Sequence, residues 1–181
     1  PLFHLDTENS DIPFSTAVSI TNRATTTISG SKEVATAIMI NGEEAVGGTS
    51  STEWSFVVSL VEGENEFLVS TRDIFGNESP PYRVVIIRDS TEPVITILGE
   101  NPLTIEFGNA YVDAGATAAD LYEGDLTGSV VSTSTVDTNT LGTYAVFYTV
   151  SDAVGNMASS TRVVRVVDTT APDAPPSSAP Q

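Results

Sequence analysis

The chain has 181 residues, a formal net charge of −17 and no cysteine. The charge sets it against phosphate backbones and anionic lipid, and the missing cysteines remove disulfide and thiolate chemistry. Hydrophobic residues make up 40%, with aromatics at 7% and 13 Gly and 10 Pro as punctuation, which favours Val/Ile cores, short strands and tight turns over helices.

Residues 1–14 mix apolar residues with turn formers and read as an extended lead-in. Strands are expected at Ala17–Ile20, Thr25–Ser29 and Ala35–Ile40, with Gly30–Glu33 as a turn. Asn41-Gly42 is a strong hairpin signal, and Glu44–Ser51 is a looser strip after it. In Glu53–Leu60 the alternation puts Trp54, Phe56, Val58 and Leu60 on one face, so Trp54 reads as core rather than as a sugar platform. Glu62–Asn65 turns the chain into Glu66–Arg72, Asp73–Asn77 turns it again, and Tyr82–Arg88 is the next strand. Asp89-Ser90-Thr91-Glu92-Pro93 then acts as a stop, because proline cannot donate to a ladder.

The plan repeats. Strands are expected at Val94–Leu98, Leu103–Phe107, Asp113–Ala119, Val130–Thr133, Thr143–Val150 and Ser160–Val167, with Asp120–Asp125 as an acidic loop. Asp-x-x-Gly-Asn occurs at 73–77 and 152–156, and Asp-x-Thr-x-Pro follows each at the same offset, at 89–93 and 168–172. Residues 169–181, rich in Pro and Ser, read as linker. The fold class is therefore all-β: two tandem antiparallel sandwiches, at 15–89 and 90–168.

These residues resemble bacterial immunoglobulin-like modules strung along surface and secreted proteins. Residues 92–168 are similar to the surface-protein type through YVDAGATAADLYEGDLTG, VDTNTLGTYAVFYTVSD and DAVGNMASSTRVVRVVD. Residues 12–89 resemble related modules attached to glycan-degrading enzymes through MINGEEA and LVEGENEFLVSTRDIFGNES. The resemblance implies a spacing or adhesive role outside the cell, with neighbouring modules, identical subunits, a surface glycan or a cell-surface protein as partners. It does not imply catalysis. Gly142-Thr143-Tyr144 sits where a tyrosine corner would open the penultimate strand, and the first module has Asn65-Glu66-Phe67 there instead.

Catalysis finds little to work with. His4, the one histidine, is in the lead-in; Glu43-Glu44 and the Glu62/Glu64 pair sit on turn-like stretches where solvated charge is the ordinary reading. Calcium is the sharper expectation. In an antiparallel sandwich the turn before the last strand lies at the module's entry end, so the Asp152 turn should face back toward the stop at 89–93. Asp89, Glu92, Asp120, Glu123, Asp125 and Asp152 would then gather as oxygen ligands for calcium and stiffen the joint. The competing reading is that these acids fold back on their own backbone as Asx turns. By the same logic Asp73 would face Asp6, Glu8 and Asp11, while Asp168 and Asp173 would need a further module. Asn77-Glu78-Ser79 has the form of a glycosylation sequon but lies in a tight turn before Pro80, and it is set aside.

Two other functions compete. A carbohydrate-binding or glycan-enzyme accessory module would use exposed aromatics such as Tyr111 or Tyr122. A fibre subunit would lend Leu2–Phe14 as a strand to its neighbour. No apolar run reaches membrane-spanning length and no signal peptide is recognisable, and a start at Pro1 reads as a processed product or an excised piece.

Overall fold

A computed structural model describes residues 19–170. The chain divides into two compact units, one ending at Thr91 and the other beginning at Glu92. Apart from one 3-10 turn at Thr127–Ser129, the regular structure of the described residues is all strand.

The first unit contains β1 (Ser19–Thr21), β2 (Thr25–Ser31), β3 (Ala37–Ile40), β4 (Glu43–Val46), β5 (Glu53–Ser59), β6 (Gly63–Arg72) and β7 (Tyr82–Arg88). A five-stranded sheet runs β1-β7-β6-β3-β4, and β2 pairs with β5 in a second sheet. Ile28, Trp54 and Val58 from the small sheet pack with Ile38, Ile40, Val69 and Ile86 from the large one, which buries the alternate positions of both. Trp54 is 5% exposed and its indole N–H donates to the Ser31 carbonyl at 3.3 Å, so it is a core residue. Phe56 departs from the expected inward row: it is 37% exposed, at the margin of a sheet only two strands wide.

Local conformation shifts several expected boundaries. Asn41 and Gly42 both have positive φ, 54° and 81°, as a type I′ hairpin turn requires. The turn expected at Gly30–Glu33 falls later, because β2 continues to Ser31 and Ala35 takes the left-handed φ of 64°. Thr36 folds back on Glu33 through its N–H (3.4 Å) and its hydroxyl (2.8 Å), so β3 starts at Ala37. β6 starts early, at Gly63, paired with β7 from Gly63↔Arg88 onward.

The second unit contains β8 (Val94–Ile97), β9 (Leu103–Glu106), β10 (Ala116–Asp120), β11 (Gly124–Asp125), β12 (Val131–Ser134), β13 (Gly142–Ser151) and β14 (Met157–Val167). Its sheets run β11-β10-β8 and β12-β13-β14-β9. Val146, Tyr148 and Val164 form the core with Ile95, Ile97 and Ile105 packed against them. The strand expected from Asp113 begins only at Ala116, because the Asp113 carboxylate accepts the Gly115 N–H (3.1 Å) and Gly115 has a φ of 79°.

Both units close in the same way. A short strand pairs in parallel with the last one, β1 with β7 and β9 with β14, beside an antiparallel final hairpin. Each stop motif is tied back by two carboxylates. Asp89 Oδ1 accepts the N–H and hydroxyl of Thr91 (3.1 and 2.8 Å), and Asp168 Oδ1 accepts those of Thr170 (3.0 and 2.6 Å). Glu62 takes the N–H and hydroxyl of Ser90, and Glu106 takes those of Thr169. The bonds from Ser90 hold the Glu62 carboxyl below its usual range, and those from Thr170 do the same for Asp168.

Candidate metal centre

Both Asp-x-x-Gly-Asn turns have one geometry. Asp73 Oδ1 accepts the N–H groups of Phe75 and Asn77 at 2.8 Å, and its Oδ2 accepts the Asn77 amide at 2.7 Å. Asp152 repeats this with Val154 (3.0 Å), Asn156 N–H (2.8 Å) and the Asn156 amide (2.6 Å). Gly76 and Gly155 supply the positive φ, 91° and 92°, that closes each turn. The Asx bonds therefore account for the motif's sequence. They leave a difference in surroundings: Asp73 is half-exposed, whereas Asp152 is buried.

What surrounds Asp152 is the acidic loop after β10. The Glu123 carboxylate accepts the backbone N–H of Ala153, which ties the loop to the Asp152 turn within the second unit. Asp120, the last residue of β10, uses Oδ1 to accept the N–H groups of Tyr122 (2.7 Å) and Glu123 (3.1 Å). Its Oδ2 is buried and makes no hydrogen bond. Asp120 and Asp152 are 8% and 7% exposed, and each has a carboxylate oxygen within 4.8 Å of one on the other. Two carboxylates this close in a site of low water access repel each other, and an unbonded buried oxygen adds its own desolvation cost. A hard cation would offset both. Calcium, which takes six to eight oxygens and accepts mixed carboxylate, carbonyl and water ligands, fits that donor set.

The other expected ligands are placed as follows. Asp125 is exposed, and its Oδ1 accepts the Thr127 N–H at 2.9 Å just ahead of the 3-10 turn; the bonds from Thr127 lower its pKa. Glu92 is exposed at the start of the second unit. Asp89 closes the first unit, fully buried, with its N–H donating to the Thr21 carbonyl at 2.9 Å. His4, Asp6, Glu8, Asp11 and Asp173 lie outside the described residues.

A second charged cluster escaped the sequence reading. Arg162 is 1% exposed, in the middle of β14. It donates to the carbonyls of Leu98, Glu100 (3.0 Å) and Gly115 (3.2 Å), and its Nε lies 3.4 Å from Asp113 and 3.2 Å from the Tyr148 hydroxyl. Asp113 also accepts the hydroxyls of Tyr148 (2.5 Å) and Tyr111 (3.2 Å). Burial works against the Asp113 charge, but the bonds from Tyr148, Gly115 and Tyr111 and the Arg162 charge leave its pKa lowered. Burial, with the Asp113 charge, pushes Tyr111 up to about 12. Tyr111 is thus a member of a packed network rather than a free aromatic platform.

Residues 95–166, all within the second unit, match the family described as bacterial surface protein, Ig-like domain. No curated protein matches the chain. Among solved structures, a lipoprotein from Bacteroides thetaiotaomicron is 32% identical over 44% of this chain and 39% of its own, with a TM-score of 0.39. The structure of a CBM51 domain in complex with GlcNAc, with INT domains, from Clostridium perfringens ZmpB is 31% identical over 42% of this chain and 17% of that one, at a TM-score of 0.35. Fibronectin(III)-like modules of Clostridium thermocellum CbhA are 12% identical over 87% and 93%, at a TM-score of 0.39. The chain therefore spans less than half the length of the first two.

Proposed function

We propose that this chain, whose residues 95–166 belong to the bacterial surface Ig-like domain family, is a non-catalytic spacer or stalk segment of a surface or secreted assembly, stiffened by calcium. The observation that carries the calcium reading is the buried, unbonded Oδ2 of Asp120 beside the buried Asp152 carboxylate. Asp120 and Asp152 are the core ligands. Glu92 and Glu123 fill outer positions directly or through water, and Asp125 contributes charge.

The mechanism is mechanical. Coordinated carboxylates would tie the loop after β10 to the Asp152 turn and stiffen that end of the second unit. Among the described residues no helix is long and apolar enough to cross a membrane. Location at the surface or in the secreted fraction follows from the family and is part of the proposal. The glycan-binding alternative has less support, since Trp54 is buried and Tyr111 is bound to Asp113.

Calorimetric titration of calcium into the chelator-treated chain tests this, alongside melting and small-angle scattering. Binding is expected, and about a hundredfold excess over Kd would add about 2.7 kcal/mol of stability. Asp120→Asn should remove most of that gain while keeping the Oδ1 bonds to Tyr122 and Glu123. No binding heat together with an unchanged melting curve would sink the calcium reading.

A further inference from the structure

β12 is an edge strand, with β13 on one side only. All four of its residues, Val131-Ser132-Thr133-Ser134, are exposed and uncharged. The neighbouring outward positions of β13, Thr143, Ala145, Phe147 and Thr149, are uncharged too, and Phe147 is 48% exposed. Edge strands are ordinarily blunted by charge, proline or a bulge. In the second unit β8 follows Pro93, β9 ends in Glu106 and β11 contains Asp125, whereas β12 has none of these devices.

The direction of its free backbone groups can be read from the register. Thr135 donates its N–H to Ala145 at 3.0 Å, so Thr133 and Val131, at the same parity, also face β13. Ser132 and Ser134 then point their N–H and C=O groups to the open side. The tripeptide Ser132-Thr133-Ser134 reads the same from either end, so an antiparallel copy would pair Ser132 with Ser134 in both directions around a two-fold axis at Thr133. In that register Asp137 faces Ser129 and no carboxylate meets another.

We infer that β12 is a homotypic docking edge, at which a second copy of this chain adds its own β12 to make one continuous sheet. The occupant is a second copy because the strand is self-complementary and because this edge lets two strongly acidic chains meet without opposing charges. The contact is small, so it is weak between free chains and gains strength where many copies are tethered side by side.

Sedimentation equilibrium of the full chain with chelator present separates this from the calcium reading. The concentration series should reach about 1 mM at low and at high salt, because screening relieves the overall repulsion. The average mass is expected to rise toward the dimer, further at high salt. Ser132→Pro removes an outward N–H without touching the ladder to β13, and Thr133→Lys puts two like charges at the axis. Each should weaken association by about tenfold or more. Should the proline variant fail to fold, Thr133→Lys decides alone, since that side chain faces solvent. A parent chain that stays monomeric at high salt, or a folded Thr133→Lys chain that associates like the parent, overturns the inference.

Discussion

Asn65 and Tyr144 occupy the same place in the two units and perform the same bond with different chemistry. Each stands two residues after a strand-opening glycine, Gly63 or Gly142, and each precedes the Asp of the final turn, Asp73 or Asp152, by the same number of residues. Tyr144 donates its hydroxyl to the Thr140 carbonyl at 2.8 Å; Asn65 donates its amide to the Val61 carbonyl at 2.8 Å, also four residues back. Asn65 additionally accepts the Val61 N–H at 2.9 Å and donates to Gly63 at 2.9 Å. The short amide thus closes the corner by making several bonds where the phenol makes one.

Removing these groups should separate their contributions. Tyr144→Phe keeps the ring and loses one hydrogen bond, so about 1 kcal/mol is expected. Asn65→Ala leaves both backbone groups of Val61 without that partner and should cost more, about 2 kcal/mol. Urea unfolding of the two variants checks the order; equal losses would show that the ring, not the corner bond, matters at Tyr144.

Gly48 tests how tightly the turn before β3 is packed. A Cβ on Gly48 would lie 2.5 Å from the Ala35 carbonyl oxygen and 3.1 Å from its carbon, and backbone cannot rotate away as a side-chain tip can. Ala35 is itself held by its N–H bond to Thr49 (2.8 Å) in a left-handed conformation. Gly48→Ala is therefore expected to destabilise by about 2 kcal/mol or more, while Ala35→Gly, which relieves the left-handed strain, should be neutral or mildly stabilising. Chemical denaturation of both variants provides the comparison.

Much of the frame was legible because it repeats. Equal spacing between the Asp-x-x-Gly-Asn turns and the stop motifs located the final hairpins, and alternation placed Trp54, Val58 and Leu60 inside. Setting Asn65-Glu66-Phe67 against Gly142-Thr143-Tyr144 finds no corner in the first unit; counting from the strand-opening glycines pairs Asn65 with Tyr144 and supplies one. The Arg162 network had half a signal. Alternation puts Arg162 on the same inward face as Val164 and Val166, which demands a buried partner. Its partner Asp113 lies outside any strand, in an Asx turn whose position depends on the fold. Burial separates Asp152 from Asp73 although their local sequences agree, and no local pattern carries that information.

The Tyr111–Asp113 pair has a pH signature at both ends. Tyr111 is raised to about 12, by burial and then by the Asp113 charge and hydrogen bond. Between the unfolded tyrosine value and 12 the folded chain holds a proton that the unfolded chain loses. Stability from this group is full below about pH 10 and is lost as pH rises toward 12. Asp113 is shifted the other way, so its contribution is present above the unfolded Asp value and fades as acid protonates it in the fold. Ultraviolet titration of tyrosinate absorbance in Asp113→Asn should show a tyrosine ionising at lower pH than in the parent. Identical titration curves would contradict the assignment.

Arg162 should be the costliest of these side chains to truncate. Its guanidinium answers three carbonyls from Leu98, Glu100 and Gly115, besides Asp113 and the Tyr148 hydroxyl, and β14 offers no solvent path to replace it. Breaking a buried pair by removing one partner typically costs about 3–5 kcal/mol. Arg162→Ala is expected in that range, and Arg162→Lys should recover only part, since one ammonium cannot span the same carbonyl fork. Tyr148→Phe, which removes a single link between Arg162 and Asp113, should cost about 1 kcal/mol. A double-mutant cycle of Arg162→Ala with Asp113→Asn completes the test: losses that simply add would mean that the pair does not act as a unit.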